Sequence, residues 1–453
     1  MMLQGMIGRF AEQAPVATMV RGLLANILSP QELDAIFRET AVRQYEDELL
    51  FSSVVELLQL VVTKSHKSMR AAYRAHHEQL EVSLTAVYDK LNGVETQVTR
   101  ALVRQTAERM RQVIEALRGP QPKHLGKYRL RILDGSHLAS TQHRLKELRT
   151  IRGGPLPGQA LVVLEPELSL VTDIIPCEDG HAQERSLLVD LLDIVEPDDL
   201  WIADRNFCTV LMLHEIAASR AFFLVREHAG LPWEPRGERK RIGRSRTGWV
   251  HEQTVAVPDG LGTDLLVRRL TLELDEVTTE GERTIHILTN LPPQVKAPDA
   301  ADEYHGRWGI ECVFGELTLS LRGEIDTLAY PGAALLGYAV ALLTYNMLSV
   351  VKAALRVVHG PKLIDNQIST YYLADEVTGM WRGMEVAVPT ERWKRTFGRL
   401  KPRDLAEQLI SIAGHADLRH YQKHPRAPKK PPPKRRGKKP HVSTARILEK
   451  RQR

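Results

Sequence analysis

At 453 residues, with 43% hydrophobic and 6% aromatic content, the chain has the ordinary make-up of a soluble protein and is long enough for two or three domains with a large core. Its three cysteines, Cys177, Cys208 and Cys312, are odd in number, far apart and in no metal-ligand spacing. That argues against structural zinc or disulfides and for buried thiols in a reducing compartment. The net charge of +6 is unevenly placed: from Lys423 onward thirteen Lys and Arg face Glu449 alone, so a basic tail of +12 follows a body of −6.

The first residues, MMLQGMIGRFAEQ, lack the basic, apolar, small-residue order of a signal peptide. To about Gly119 the chain reads as helical. SPQELDAIFRE offers Ser29 as N-cap, Pro30 at the first helical position and Glu32 at the capping-box position, a complete helix start. DELLFSSVVELLQLVV and Leu80–Leu117 follow with helical periodicity and few breakers. Adjacent His76 and His77 point in different directions and read as solvated. No dense basic face marks this part as a DNA reader, and packing or dimerisation fits it as well.

YRLRILDGS is a short strand ending in the turn Asp134-Gly135-Ser136. After the turn GGPLPG come two antiparallel strands in ALVVLEPELSLVTDIIP, the helix ERSLLVDLLDIV and the apolar strand DDLWIAD ending at Asp204. The helix TVLMLHEIAASR and the strand AFFLVRE close a mixed α/β sheet with helices packed on it. From His228 to Leu291 strand-like runs dominate, an all-β insertion that carries the loop EPRGERKRIGRSRTG between Trp233 and Trp249. A solubilising loop is one reading of its six cations. The other is a surface for phosphates and stacked bases, with Arg239, Lys240, Arg241, Arg244 and Trp249 as candidates.

Thr327–Val351 carries no charge and raises the membrane question. Its Pro331, Gly332, Gly337, Thr344, Asn346 and Ser349 fit a helix buried in a protein core better than a lipid-facing span. Helices continue to about His420, including Leu405–Ile412. The tail RAPKKPPPKRRGKKP buries too little apolar surface to fold, and its charge suits nonspecific nucleic-acid contact.

The stretch Tyr304–Arg322, YHGRWGIECVFGELTLSLR, joins these parts. Ile310, Phe314, Leu317 and Leu321 recur at helical spacing and form a buried stripe. Beside it Tyr304, Arg307, Glu311, Thr318 and Arg322 fall within about 60° of one another on one helix. An Arg307–Glu311 pair on a solvated face explains part of this pattern. Asp134 and Asp204 at strand ends offer another explanation. With Glu311 they supply oxygen donors only, which suits two Mg²⁺ (or Mn²⁺) ions acting on a phosphodiester.

The pattern Tyr304-x2-Arg307-x3-Glu311 in YHGRWGIECVFGEL resembles the signature helix of DDE transposases of bacterial insertion sequences. The particular family is the one defined by a Tyr-Arg-Glu-Lys helix, insertion sequence family four. Asp134-Gly135-Ser136 resembles its first motif and Asp204-x2-Phe207 its second, over roughly residues 40–420.

The resemblance implies an α/β fold: a ribonuclease H-like mixed sheet flanked by helices, with an all-β insertion and a helical N-terminal domain. The division is then 1–120 for the helical domain, 125–228 and 296–360 for the two parts of the catalytic core and 229–292 for the insertion. A helical region over 361–420 and a disordered basic tail over 421–453 complete it. Asp134, Asp204 and Glu311 become the catalytic, metal-binding triad, and Tyr304 and Arg307 become contacts to DNA phosphates.

The implied activity is cut-and-paste transposition by a homodimer on double-stranded DNA, at terminal repeats and target, in a cytoplasmic, nucleoid-associated setting without membrane. The family's lysine is Thr318 here, and Arg322, one turn later, is the candidate replacement cation. The alternatives are a catalytically impaired derivative that binds element ends as a regulator, and a ribonuclease H-like nuclease that cuts without joining.

Overall fold

The computed structural model describes residues 5–44, 48–119, 125–278, 281–424 and 440–452. The helix start at Ser29 forms as expected: the Ser29 hydroxyl accepts from the backbone of Glu32 and Pro30 opens the helix Pro30–Thr40. The Leu80–Leu117 stretch divides into helices Leu84–Gly93 and Thr96–Leu117, with Glu81 in the left-handed region before them.

A ten-stranded sheet forms the centre. Its first part consists of β1 (Arg129–His137), β3 (Gln159–Glu165), β4 (Leu170–Cys177), β5 (Asp199–Ala203) and β6 (Phe222–Arg226). The short β2 (Gly154–Leu156) lies outside it. The order is β4-β3-β1-β5-β6; β4, β3 and β1 are antiparallel neighbours, while β1, β5 and β6 run parallel. This is the ribonuclease H-like mixed sheet.

Side-chain alternation sends Ile132, Val162, Ile174 and Ile202 to one face, and Leu133, Leu161, Val163, Trp201 and Ala203 to the other; all are buried. Both faces are covered, which explains why these strands read as continuous apolar runs rather than as alternating ones.

The insertion is not separate from this sheet. It contributes β7 (Glu234–Pro235), β8 (Lys240–Arg244), β9 (Gly248–Pro258), β10 (Asp264–Leu274) and β11 (Thr284–Thr289). The last of these pairs antiparallel with β6, so the sheet runs on as β6-β11-β10-β9-β7, with β8 also on β9. The N-terminal helices likewise share one continuous core with the sheet, and Thr96–Leu117 packs on β4 and on the helix Pro331–His359.

That helix is long and apolar enough to cross a membrane, and its apolar window is entirely buried in the protein. Asn346, fully buried in it, accepts from the Val171 N–H and donates to the Val171 carbonyl, both at 2.8 Å. One amide thus replaces a neighbouring strand at the edge of β4.

The basic tail is not uniform. Residues 425–439 lie outside the described residues, whereas β12 (His441–Ser443) pairs parallel with β2 and the helix Thr444–Gln452 follows. The expected disorder is therefore corrected for this final segment: it gains a strand partner and an Arg446–Asp179 ion pair at 2.6 Å. Of the thiols expected to be buried, Cys208 is, Cys177 is half-buried and Cys312 is exposed.

Replacing Asn346 with leucine removes both partners of a buried peptide group. The expected loss is about 2–4 kcal/mol of stability, read as a lower urea midpoint at unchanged slope; an unchanged midpoint would exclude this role.

Candidate active site

The register of β1 on β5 places the first two acids. Leu133 is opposite Ala203, so Asp134 and Asp204 are each the next residue and leave the sheet on the same face, the one bearing Ile132 and Ile202. The strand does not turn at Asp134-Gly135-Ser136 as expected. β1 continues to His137 on β3, and only its pairing with β5 stops. Asp134 is thereby held rigidly beside the end of the neighbouring strand. Asp204 accepts from the Asn206 N–H at 2.7 Å and caps the short helical turn Arg205–Phe207.

The Tyr304–Arg322 stretch is not one helix. Helix Ala297–His305 ends at Gly306, and helix Trp308–Leu319 begins after Arg307. The join is tightened by i→i−3 bonds from Arg307 to Tyr304 and from Ile310 to Arg307. Tyr304, Arg307 and Glu311 nonetheless stay on one side.

The Arg307 guanidinium donates to Asp134 at 3.2 Å and to Glu311 at 2.8 Å, so it bridges two of the three expected acids. Burial works against its charge, while Tyr304, Glu311 and Asp134 more than offset that and hold it above its usual value. Burial also pushes the Tyr304 phenol up to about 12, against the pull of Arg307 and Arg226.

Burial raises the Asp134 carboxyl to about 6. Arg307 and the Gly135 N–H oppose the rise, and Asp204 and Glu184 add to it. Glu184 was not anticipated. It opens the helical segment after β4, where an acid reads as ordinary helix-end chemistry. It accepts from the Asn206 amide at 3.4 Å and lies 3.9 Å from His137. A Cβ at position 135 would meet its carboxylate, so a side chain there would displace Glu184.

Beside these acids is a cleft of about 650 Å³. Tyr304, Arg307, Trp308 and Glu311 line it, and Arg226 and Arg246 belong to its wall. Trp308, part of the signature run but given no role of its own from the sequence, is 53% exposed.

Two groups of expected contacts sit elsewhere. Arg322 lies beyond the helix end: its backbone donates to Val62 and its guanidinium to the Lys67 carbonyl. Periodicity carried it onto the Glu311 line, but the helix stops at Leu319 and the Gly323 N–H turns back to Leu317. Thr318 donates to the Phe314 carbonyl of its own helix.

In the basic loop, Arg239 pairs with Glu273 at 2.6 Å and Arg244 with Asp275 at 2.7 Å. Arg236 and Arg246 pair with Asp264 and Asp302. Arg241 lies 3.4 Å over the Trp249 ring, so one face of that stacking candidate is covered. Trp233 donates to Glu227 and lies under Arg269. Lys240 and Arg241 remain exposed.

The donor set Asp134, Asp204 and Glu311 consists of oxygens and has the chemistry of a hard divalent cation site. As they stand, no three His, Cys, Asp or Glu side chains among the described residues converge closely enough to hold one. Arg307 fills the gap between Asp134 and Glu311.

Residues 125–347 match the family model described as "Transposase DDE domain". The match contains Asp134, Asp204 and Glu311 and leaves the N-terminal helices and the C-terminal region outside. No curated protein matches the chain. A cryo-EM structure of a piggyBac transposase synaptic complex with hairpin DNA resembles it at a TM-score of 0.40 and 10% identity, over 89% of this chain and 86% of that one.

Arg307→Gln removes the nearest cation from Asp134. The Asp134 carboxyl is expected to titrate above its present value of about 6, followed by side-chain carbon NMR; an unchanged or lower value would deny Arg307 the role of counter-charge.

Proposed function

We propose that the protein is a transposase that cuts phosphodiesters at the ends of its own element and joins the freed 3′-hydroxyls to target DNA. The supporting observation is the Arg307 bridge. Arg307 reaches across 173 residues of chain to Asp134 and one helical turn on to Glu311, while the strand register sets Asp204 beside Asp134.

Asp134, Asp204 and Glu311 would hold Mg²⁺ (or Mn²⁺), two ions in the reading given above, once Arg307 releases the carboxylates. Such ions supply an activated nucleophile and charge neutralisation at a phosphoryl centre. Arg307, freed from the acids, presents a planar fork suited to phosphate oxygens. Tyr304 stays protonated at neutral pH because its phenol titrates only at about 12, so its hydroxyl can donate to a phosphate oxygen.

Trp308, 53% exposed beside the cleft, offers an apolar ring to one side of the reacting strand. Lys240, Arg241 and the basic tail add phosphate contacts. A homodimer, each subunit on one end, is the assembly this chemistry requires for paired cutting and joining, and terminal repeats and target are its double-stranded DNA partners. The protein would act in the cytoplasm, on the nucleoid of a bacterial cell.

A second reading, an end-binding regulator without cutting activity, is favoured by one observation. Neither Thr318, bonded to its own helix, nor Arg322, tied to Lys67, brings a cation to the Glu311 line.

The deciding experiment uses a labelled duplex carrying the element's terminal repeats, with wild type beside Glu311→Gln and with Mg²⁺ present or chelated. Wild type is expected to cut at the repeat boundary in Mg²⁺ only and to leave 3′-hydroxyls, and the variant to bind without cutting. Binding without cutting by both proteins would establish the regulator, and equal cutting by both would remove Glu311 from the site. Joining of the cut end to plasmid separates a transposase from a nuclease.

Thr318→Lys adds one cation facing the duplex. It should strengthen end binding and steepen the slope of log affinity against log salt by about 0.9 for the added phosphate contact, measured by titration at several salt concentrations.

A further inference from the structure

A second cavity lies far from the acids, within the helical part of the protein. Helices Pro15–Ile27, Phe51–Val62, Thr370–Ala387 and Thr390–Phe397 surround about 110 Å³. Leu24, Leu28, Leu33 and Val55 give it an apolar lining. Its polar lining is unusual: Arg21 is 8% exposed, between the rings of Trp381 at 4.8 Å and Trp393 at 5.8 Å.

Arg21 has no ion pair within 4.0 Å among the described residues. Arg21 Nε, Trp393 Nε1 and Gln59 Oε1 are buried without a hydrogen-bond partner, and all three residues line the cavity. Gln59 Nε2 and Trp381 Nε1 are already engaged, by Thr344 and Glu385 at 2.9 Å each. Burial lowers the Arg21 guanidinium from its usual value, and Glu385 and Glu56 offset part of that.

Stacking between two indoles accounts for the apolar faces of the guanidinium but leaves its Nε–H without an acceptor. An unpaired buried donor costs about 1–3 kcal/mol, more when charged, and two sit around one cavity.

We propose that this cavity binds a small carboxylate with a branched aliphatic body. The carboxylate would accept from Arg21 and Trp393, and the body would fill the space among Leu24, Leu28, Leu33 and Val55. The volume, smaller than the ~150 Å³ that accepts benzene, limits the body to about four or five carbons. The site is independent of the acids at the sheet edge and of the reading proposed for them.

The test is calorimetric titration of the full chain with isovalerate and with isovaleramide, its neutral isostere. Isovalerate is expected to saturate one site per chain and to bind at least about tenfold more tightly than the amide, the range of a charge-assisted hydrogen bond. Arg21→Met should abolish that preference, and Val55→Phe, which fills the cavity without touching Arg21, should abolish both titrations. Equal binding of acid and amide to wild type, or no saturation by isovalerate at ~10 mM, overturns the proposal whatever the variants do.

Discussion

Two carboxylates set side by side at the edge of a sheet constrain everything around them. Parallel pairing of β1 with β5 leaves no freedom to separate Asp134 from Asp204, because both follow directly on paired residues. Like charges at such a place require a cation or a proton. Burial chiefly, with Asp204 adding to it, raises the Asp134 carboxyl, and the Arg307 guanidinium supplies a cation against it. Arg307 stands at the join of the helix pair, near enough to Glu311 and Asp134 to bridge them.

The helix that carries Glu311 is fixed by what lies under it. Ile310, Val313 and Leu317 are buried against the sheet and against Pro331–His359, and that longer helix is anchored in turn by Asn346 on β4. A buried polar group matched to a single peptide permits one register and penalises every other. The same strand carries Asp173, which pairs with Arg100 at 2.9 Å. Helices from both ends of the chain therefore hold β4, and β4 holds β3 and β1 in line. Placement of the acids thus depends in part on the helix Thr96–Leu117, which lies outside the matched residues.

What could be read from the sequence was local. The Ser29 cap, the strand runs and the acids at their ends show themselves through turn chemistry and apolar patterning over a few residues. Arg322 misled because Leu321 is buried, as the helical stripe required, although the chain had already left the helix. The basic loop misled for a different reason. The acids that neutralise Arg239 and Arg244 lie 34 and 31 residues further on, and composition within the loop carries no trace of them. Glu184 and the Arg307–Asp134 contact were equally hidden, since each depends on how separate elements meet. In the tail, the average over a run of lysines and prolines concealed a final segment able to pair with β2.

Continuity of the sheet bears on how the insertion can act. A domain on a flexible tether could grip DNA and swing independently of the acids; β11 hydrogen-bonded to β6 cannot, because β6 is already paired to β5. Arg246 and Asp275 of the insertion line the same cleft as Glu311, so the insertion and the Glu311 helix share one wall. Most arginines of its basic loop are already paired, so its positive field is weaker than its composition suggests. Lys240 and Arg241 stay exposed on the far strand, so the insertion meets the acids as a fixed edge of the same sheet rather than as a separate charged arm.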